Sequence, residues 1–268
     1  MFKYQRYINY TRYFLEVIFS KVESAPEDCD LIIVSHSKDL AKLPILIQNW
    51  LVNINENIQR IILITNDTNN IPSQIQSSVD LIIGDNDIEY VSEFRKILGA
   101  HPRKAWYTQQ IIKISAISIS NKYIVIDSDT YLLKSHKFFH NGTPIVRVSH
   151  EDPTVYSGFE NFIGLPQDKR SYIPHMGSFT SETLHSYFKF IEAKSTEKKW
   201  YEIIANFITH GEGQYSEWNS FNKFLLLKFD AKTAHWFNKS ESSDLLENGV
   251  DGKKYLFRTS VSFHEPHE

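Results

Sequence analysis

Short apolar runs recur along the chain, and most of them end in polar side chains. The predicted strands are residues 30–36, 61–67, 79–83 and 122–126. Their apolar residues are largely continuous rather than alternating, which is typical of strands buried on both faces of a parallel sheet. Helical patterns lie between them, at residues 37–50, 89–98 and 106–120. This alternation predicts βαβ units and an α/β fold with a mostly parallel central sheet flanked by helices.

The pattern is weaker after Leu133. The predictions there are a strand at 144–149, a loop region at 150–177, helices at 181–193, 200–210 and 215–227, and a last strand at 261–264. Ser181 is the predicted cap of the first of these helices. Loops on a rigid scaffold commonly build acceptor pockets. No repeat or linker divides the sequence, so its 268 residues are predicted to form a single domain.

The polar ends of the predicted strands carry the candidate chemistry. They comprise Ser35, His36, Asn66, Asp67, Asp127 and Asp129. In an open α/β sheet, ligands bind just beyond the carboxyl ends of the strands, so these residues are expected at one edge. Residues two apart in an extended segment point the same way, and Asp127 and Asp129 can therefore meet one divalent cation that prefers oxygen ligands.

The Asp-x-Asp pair has three interpretations. It can hold the metal that binds a nucleotide-sugar diphosphate. It can also be the nucleophile and acid of a haloacid-dehalogenase-like phosphatase, or a strand-end turn with two solvated aspartates. The phosphatase pattern has Thr or Val two residues after the second aspartate, where this chain has Tyr131, and here three predicted strands precede the pair.

Composition excludes several other classes. A net charge of -3 does not favour general nucleic-acid binding. Cys29 is the single cysteine, which excludes a disulfide framework or a thiolate zinc cluster and suits a reducing cytosol. Glycine-rich loops for dinucleotides or P-loop chemistry are absent from the sequence. The sequence predicts neither a signal peptide nor a membrane-spanning run. The first 24 residues are basic and aromatic; they predict a helix that rests on a membrane surface or packs on the domain.

Four motifs in a fixed order carry a family resemblance. They are Trp106-x-x-Gln109-Gln110-x-x-Lys113, Asp127-Ser128-Asp129-Thr130, His175-Met176 and Ser216-Glu217-Trp218. In this order they resemble a group of bacterial GT-A-type glycosyltransferases, over roughly residues 30 to 230. The resemblance implies one GT-A-like domain, with an N-terminal helix at 1–28, a nucleotide-sugar-binding half at 29–135 and an acceptor-binding half at 136–268.

The resemblance also implies a metal site. In that superfamily the Asp-x-Asp pair binds Mn²⁺ or Mg²⁺, which bridges the donor diphosphate. A further metal ligand near the C-terminus is often a histidine. His264 is the best match because it follows a short apolar run, and His267 is the second choice. Lys113 is expected to face the phosphates or sugar of the donor.

The remaining expected contacts divide between donor and acceptor. Gln110 lies one turn before Lys113 on the same helix face and is expected to bind the sugar, whereas Gln109 is expected to point elsewhere. The nucleoside is expected near Ser35, His36, Asn66, Asp67 and Ser128, with Asp85 and Asp87 as alternatives. Glu217 is the first candidate for the general base that an inverting enzyme needs; the alternatives are Glu212, Glu151 and Asp152. His175 and Trp218 are expected sugar or pyrophosphate contacts.

The expected function is therefore metal-dependent transfer of a sugar from a nucleotide-diphosphate sugar, a UDP-sugar rather than a GDP-sugar. The acceptor implied by the resemblance is a surface glycan such as lipopolysaccharide, O-antigen or capsule, glycosylated in the cytoplasm at the inner face of the plasma membrane. An inactive homologue and a sugar-binding module stay open as alternatives.

Overall fold

The structure is a computed structural model of the chain. It describes residues 25–132, 135–149, 152–167, 169–195, 197–211 and 213–238, together with three later strand segments, 247–248, 254–255 and 258–264. From residue 235 onward only the backbone of the strands is described. The predicted N-terminal helix falls mainly on residues 1–24, which lie outside this part of the chain.

The helices and strands alternate through the first half, as predicted. The helices are α1 Leu43–Asn53, α2 Ser73–Gln76, α3 Val91–Leu98, α4 Lys104–Ser115, α5 Ser157–Ile163, α6 Ser181–Glu192, α7 Trp200–Thr209 and α8 Glu217–Lys228. The strands are β1 Asp28–Val34, β2 Asn57–Thr65, β3 Leu81–Gly84, β4 Lys122–Ile126, β5 Thr130–Leu132, β6 Phe139–His140, β7 Thr143–Pro144, β8 Val146–Val148, β9 Met176–Thr180, β10 Thr233–Asn238, β11 Glu247–Asn248, β12 Lys254–Tyr255 and β13 Arg258–His264.

A five-stranded sheet in the order β3-β2-β1-β4-β9 forms the centre of the fold. Its first four strands are parallel, and β9 is antiparallel to β4. The predicted α/β fold with a mostly parallel central sheet flanked by helices is thus confirmed. A second sheet, in the order β5-β13-β10-β8, follows the Asp-x-Asp segment.

Two hydrophobic cores cover the two faces of the central sheet. Ile32 and Val34 point into one core, with α3, α4 and the helices of the second half. Leu31 and Ile33 point into the other, with α1 and α2. Strand residues alternate between faces, so a strand covered on both sides must be apolar throughout. This explains the continuous apolar runs in the sequence. None of the described helices is long and apolar enough to cross a membrane.

Several predicted boundaries were wrong. The region 150–177 is not a continuous loop, because it contains α5 and the start of β9. The inward-facing Glu160 hides the helical pattern of α5; its charge is offset by Lys223 at 2.5 Å, a contact that the local sequence does not reveal. The cap of α6 is Thr180, whose hydroxyl accepts from the backbone N–H of Thr183. Ser181 is already the first helical residue.

Helix α4 and the residues around it also depart from the prediction. It begins two residues before Trp106 and ends at Ser115, followed by a 3-10 turn at Ala116–Ser118. The segment after β1 is likewise a 3-10 turn, Ser37–Lys42, before α1 begins.

Candidate functional site

Two neighbouring cavities open at the carboxyl edge of the central sheet. Strands β2 and β3 lie on one side of β1 and β4 lies on the other, so the strand order reverses there. Open α/β sheets bind ligands at such a point. One of the two cavities contains the Asp-x-Asp pair and is called the DxD cavity. It has a volume of about 490 Å³ and is lined by Asp39, Lys42, Arg103, Trp106, Gln109, Gln110, Lys113, Asp127, Ser128, Asp129, Tyr156, Ile173, His175, Ser216, Glu217 and Trp218. The strand-end cavity, of about 560 Å³, is lined by Val34, Ser35, His36, Lys38, Asp39, Ile64, Thr65, Asn66, Asp85, Arg95, Lys104, Ala105, Trp106, Thr108, Gln109, Ile112 and Ser128.

Both predicted aspartates line the DxD cavity, although not for the reason that the sequence suggested. Strand β4 ends at Ile126, and the next residues form a turn in which Thr130 N donates to Asp127 O at 2.9 Å. The segment is therefore not extended through Asp129. The turn, rather than strand alternation, brings the two carboxylates to one cavity.

Lys113 lies between two carboxylates at the base of the DxD cavity. Its Nζ is 2.6 Å from Asp127 Oδ1 and 2.8 Å from Glu217 Oε1. It also lies 4.7 Å from the ring centroid of Trp218. The lysine side chain is only 4% exposed. Helix α4, the turn after β4 and the start of α8 thus meet at a single ammonium group.

The charges in this cluster shift one another. Burial by itself lowers the pKa of Lys113, but the carboxylates of Asp127 and Glu217 more than offset this and hold it above the ordinary value. Burial also disfavours the charged form of Asp127, yet Lys113 and His175 hold the pKa of Asp127 well below its usual range. For Glu217 burial is the larger effect, and its pKa is raised despite Lys113.

Glu217 is the first residue of α8 and is almost fully buried. Its backbone N–H donates to Gln110 Oε1 at 3.1 Å, and the preceding Ser216 caps the helix by accepting from Asn219 N. Gln110 and Lys113 both line the DxD cavity. Gln110 Nε2 has no hydrogen-bond partner among the described residues. A buried amide left in this way is a donor for a ligand or a water.

His175 lies on the other side of Asp127. Its Nδ1 is 3.1 Å from Asp127 Oδ2, and its carbonyl oxygen accepts from Asp127 N at 2.9 Å. The φ angle of His175 is 59°, in the left-handed region that is uncommon for residues other than glycine. Such strained residues persist where the surroundings hold them, and they cluster at functional sites.

The predicted nucleoside residues divide between the strand-end cavity and the surface. Ser35, His36, Asn66 and Ser128 line that cavity. Asp67 does not, because its carboxylate accepts from Asn69 N and Asn70 Nδ2 in an exposed turn. Of the two alternatives, Asp85 lines the cavity and is paired with Arg95 at 2.5 Å, while Asp87 lines neither cavity.

The strand register places the backbone of His264 far from the Asp-x-Asp pair. Arg258 pairs with Thr130, and β13 then runs parallel to β5, away from the pair. His264 is six residues farther along and pairs with Ala234. At about 3.3 Å per residue this is roughly 20 Å from Arg258. The register therefore argues against His264 as a metal ligand. His267, Glu212 and Glu151 lie outside the described residues, and Asp152 lines neither cavity.

Sequence reasoning missed several residues of the site. Gln109 was expected to point elsewhere, but it lines both cavities together with Trp106. Helix α4 is buried on nearly every side from Tyr107 onward. The usual assumption that one helix face is buried and the other faces solvent therefore fails here. Arg103, Tyr156 and Ile173 also line the DxD cavity. Of these residues, only Trp106 and Gln109 could have been identified from the sequence, since both belong to the motif in α4.

The chemistry of the DxD cavity fits a hard divalent cation. Four carboxylates and three basic side chains line it, which leaves one negative charge in excess; they are Asp39, Asp127, Asp129 and Glu217 against Lys42, Arg103 and Lys113. Within the described part of the chain, no three His, Cys, Asp or Glu side chains are arranged to hold a metal by themselves. Mg²⁺ commonly binds through one or two carboxylates together with substrate phosphates and waters, and two carboxylates are what the Asp-x-Asp turn offers.

Comparisons with known proteins returned glycosyltransferase structures. No family model matches the chain, and no curated protein matches it. Mouse xyloside xylosyltransferase 1 in its apo form is 10% identical, with a TM-score of 0.45, over 76% of this chain and 83% of that chain. The mannosyltransferase Ktr4p from S. cerevisiae in complex with GDP is 9% identical, with a TM-score of 0.46, over 78% and 67%.

A third solved structure is core-mannan synthase A from Aspergillus fumigatus in its Mn/GDP form. It is 8% identical, with a TM-score of 0.40, over 75% of this chain and 70% of that chain.

Proposed function

We propose that this protein is a metal-dependent glycosyltransferase that moves a sugar from a nucleotide-diphosphate sugar to a glycan acceptor. The observation that carries the proposal is the turn Asp127–Asp129, which lies at the switch point of the sheet and opens onto two adjoining cavities. A donor of this class has a nucleoside at one end and a sugar at the other. Carboxylates are needed between them, where a metal would meet the diphosphate.

The proposed donor site follows from the two cavities. The nucleoside lies in the strand-end cavity, near Ser35, His36 and Asn66. Asp127 and Asp129 hold Mn²⁺ or Mg²⁺, which when bound supplies Lewis-acid stabilisation of the diphosphate leaving group. Lys113 keeps Asp127 ionised and oriented, and it provides positive charge beside the phosphates. Gln110 supplies its unpartnered amide to the sugar.

Glu217 is proposed as the base that takes the proton from the acceptor hydroxyl. It lines the cavity, and its raised pKa brings it nearer to neutral pH than an ordinary glutamate, which favours general-base catalysis. His175 and Trp218 are proposed contacts to the sugar or pyrophosphate. His175 also fixes the second oxygen of Asp127.

The residues that line the two cavities come from different parts of the chain. Every residue that lines the strand-end cavity lies between 34 and 128. The DxD cavity adds residues from 156 to 218. We therefore propose donor binding by 29–135 and acceptor binding by 136–268. We further propose a UDP-sugar donor and a bacterial surface glycan as acceptor. Transfer would take place at the inner face of the plasma membrane, and co-sedimentation with anionic vesicles tests that contact.

Thermal stability tests the donor site directly. The protein is heated with UDP, GDP or CMP, each with and without Mn²⁺, and compared with the variant Asp127→Asn/Asp129→Asn. A ligand that binds only the folded state at about 100 times its Kd stabilises by about 2.7 kcal/mol. We expect an Mn²⁺-dependent rise in Tm with one nucleotide, lost in the double variant.

The matched control is Glu182→Gln/Glu197→Gln, which removes two exposed carboxylates that line neither cavity. It should keep the full Mn²⁺-dependent shift. If no nucleotide raises the Tm of the unchanged protein, a sugar-binding module or an inactive homologue becomes the better explanation. The release of nucleoside diphosphate is then measured with the nucleotide-sugar that carries the nucleotide found to bind. This measurement distinguishes an enzyme that turns over its donor from a protein that only binds it.

A further inference from the structure

Arg103 is held at the rim of the DxD cavity in a fixed orientation. Its guanidinium carbon lies 3.8 Å from the ring centroid of Trp106 and 5.7 Å from that of Tyr107. Nη1 donates a hydrogen bond to Gln214 Oε1. Stacking on an aromatic face leaves the N–H donors of the guanidinium edge available, and the bond to Gln214 uses one of five.

The charge of Arg103 has no counter-ion within the described residues. Lys42, on the same cavity, is paired with Asp39 at 3.2 Å, and Lys113 is paired with Asp127 and Glu217. The hydrogen bond from Arg103 goes to a neutral amide instead. A pre-ordered guanidinium at a cavity mouth is suited to bidentate recognition of a carboxylate or a phosphate.

We propose that Arg103, held by Trp106 and Gln214, binds an anionic group of the acceptor and so makes acidic saccharides the preferred acceptor class. This inference rests on the proposed function for its choice of acceptor. The shared chemistry is a carboxylate, as in a uronic acid, or a phosphate monoester on a sugar.

The contacts of Arg103 favour the acceptor over the donor. Arg103 does not line the strand-end cavity, where the nucleoside is proposed to lie. Its hydrogen bond goes to Gln214, in the segment that leads directly into Ser216 and the proposed base Glu217, and not to the Asp127–Asp129 turn where the diphosphate is proposed to lie. An acceptor whose hydroxyl approaches Glu217 would therefore extend toward Arg103.

Three probes that differ only at carbon 6 test this inference. They are p-nitrophenyl β-glucoside, the corresponding glucuronide and the glucoside 6-phosphate. Their Kd values are measured by NMR titration of the protein with Mn²⁺ and UDP, at low ionic strength and again with added NaCl. The variants are R103Q and R103K, and the matched control is K96Q, which removes an exposed charge that lines neither cavity.

We expect an anionic probe to bind about fivefold more tightly than the neutral glucoside, with a preference that added NaCl reduces. R103Q should abolish the preference without weakening glucoside binding, R103K should keep part of it, and K96Q should keep all of it. Whichever anion binds more tightly identifies the group as carboxylate or phosphate.

Three results would overturn the inference. The first is equal binding of all probes by the unchanged protein. The second is an R103Q variant that weakens the neutral glucoside as much as the anions, which would indicate a structural role. The third is loss of the Mn²⁺-dependent nucleotide shift in R103Q while the preference persists, which would assign Arg103 to the donor. If the nucleotide shift is absent from the unchanged protein but the preference is present and lost in R103Q, the transferase proposal fails and the anion subsite stands.

Discussion

Replacing Lys113 by methionine tests whether the charge cluster holds the site together. Methionine keeps much of the apolar stem that packs on Trp218 but removes the ammonium shared by Asp127 and Glu217. The lysine and Glu217 are almost fully buried. Removing one partner of a buried ion pair typically costs about 3–5 kcal/mol, because a charge is left uncompensated. For a chain of this size that corresponds to a Tm lower by roughly 10 °C.

The cost should depend on pH, and the sign follows from Glu217. Its pKa in the folded protein is already raised by burial, and loss of Lys113 raises it further. A carboxyl group with a raised folded pKa takes up a proton more readily in the folded state, so stability rises as pH falls. The stability difference between Lys113→Met and the unchanged protein should therefore be larger at pH 8 than at pH 5.5. Urea denaturation at the two pH values measures it.

Lys223→Met is the matched control. Lys223 is equally buried and forms an ion pair with Glu160, but neither residue lines the DxD cavity or the strand-end cavity. Both variants should lose stability, whereas only Lys113→Met should also lose the Mn²⁺-dependent nucleotide shift. A loss below about 1 kcal/mol at pH 8, or a stability difference that does not change with pH, would refute the account of the cluster.

Three further predictions follow from single contacts. Asp127→Asn should lower the free energy of unfolding at neutral pH, and by progressively less below about pH 4. The reason is that a carboxyl group whose pKa is depressed in the folded state gives stability that is lost as pH falls. Urea titrations across that range measure the difference between the variant and the unchanged protein, and a difference that stays constant would contradict the prediction. Gly177→Ala should cost about 1–3 kcal/mol, since its Cβ would lie 2.3 Å from Trp218 Cζ3. Its control Gly84→Ala meets only the end of a flexible side chain and should cost about 0.5 kcal/mol or less. Glu217→Gln should slow nucleoside diphosphate release at least about 100-fold while keeping stability; unchanged turnover would remove it from the role of base.

The sequence alone predicted the features that depend on local pattern. A strand covered on both faces must be apolar throughout, so the central strands were visible as continuous apolar runs. Parallel strands bring their carboxyl ends to one edge, and this placed Asp127, Ser35 and Asn66 on the correct side of the sheet. The α4 motif pointed to Gln110 and Lys113, and both line the DxD cavity, although Gln109 lines it as well.

Contacts between distant segments were decided only by tertiary packing. Lys113 and Glu217 are 104 positions apart. The periodicity of the sequence does not indicate that α4 and α8 meet at the ammonium group of Lys113. The turn after Ile126 and the left-handed backbone of His175 set the direction of the Asp127 and Asp129 carboxylates. The register of β13 places the backbone of His264 far from them. Arg103 lies one residue before α4 with no motif around it, and it gained a candidate role only because packing brought Gln214 and a cavity to its side. Local pattern thus determined which residues are buried in strands and helices, and long-range packing determined which charges face one another.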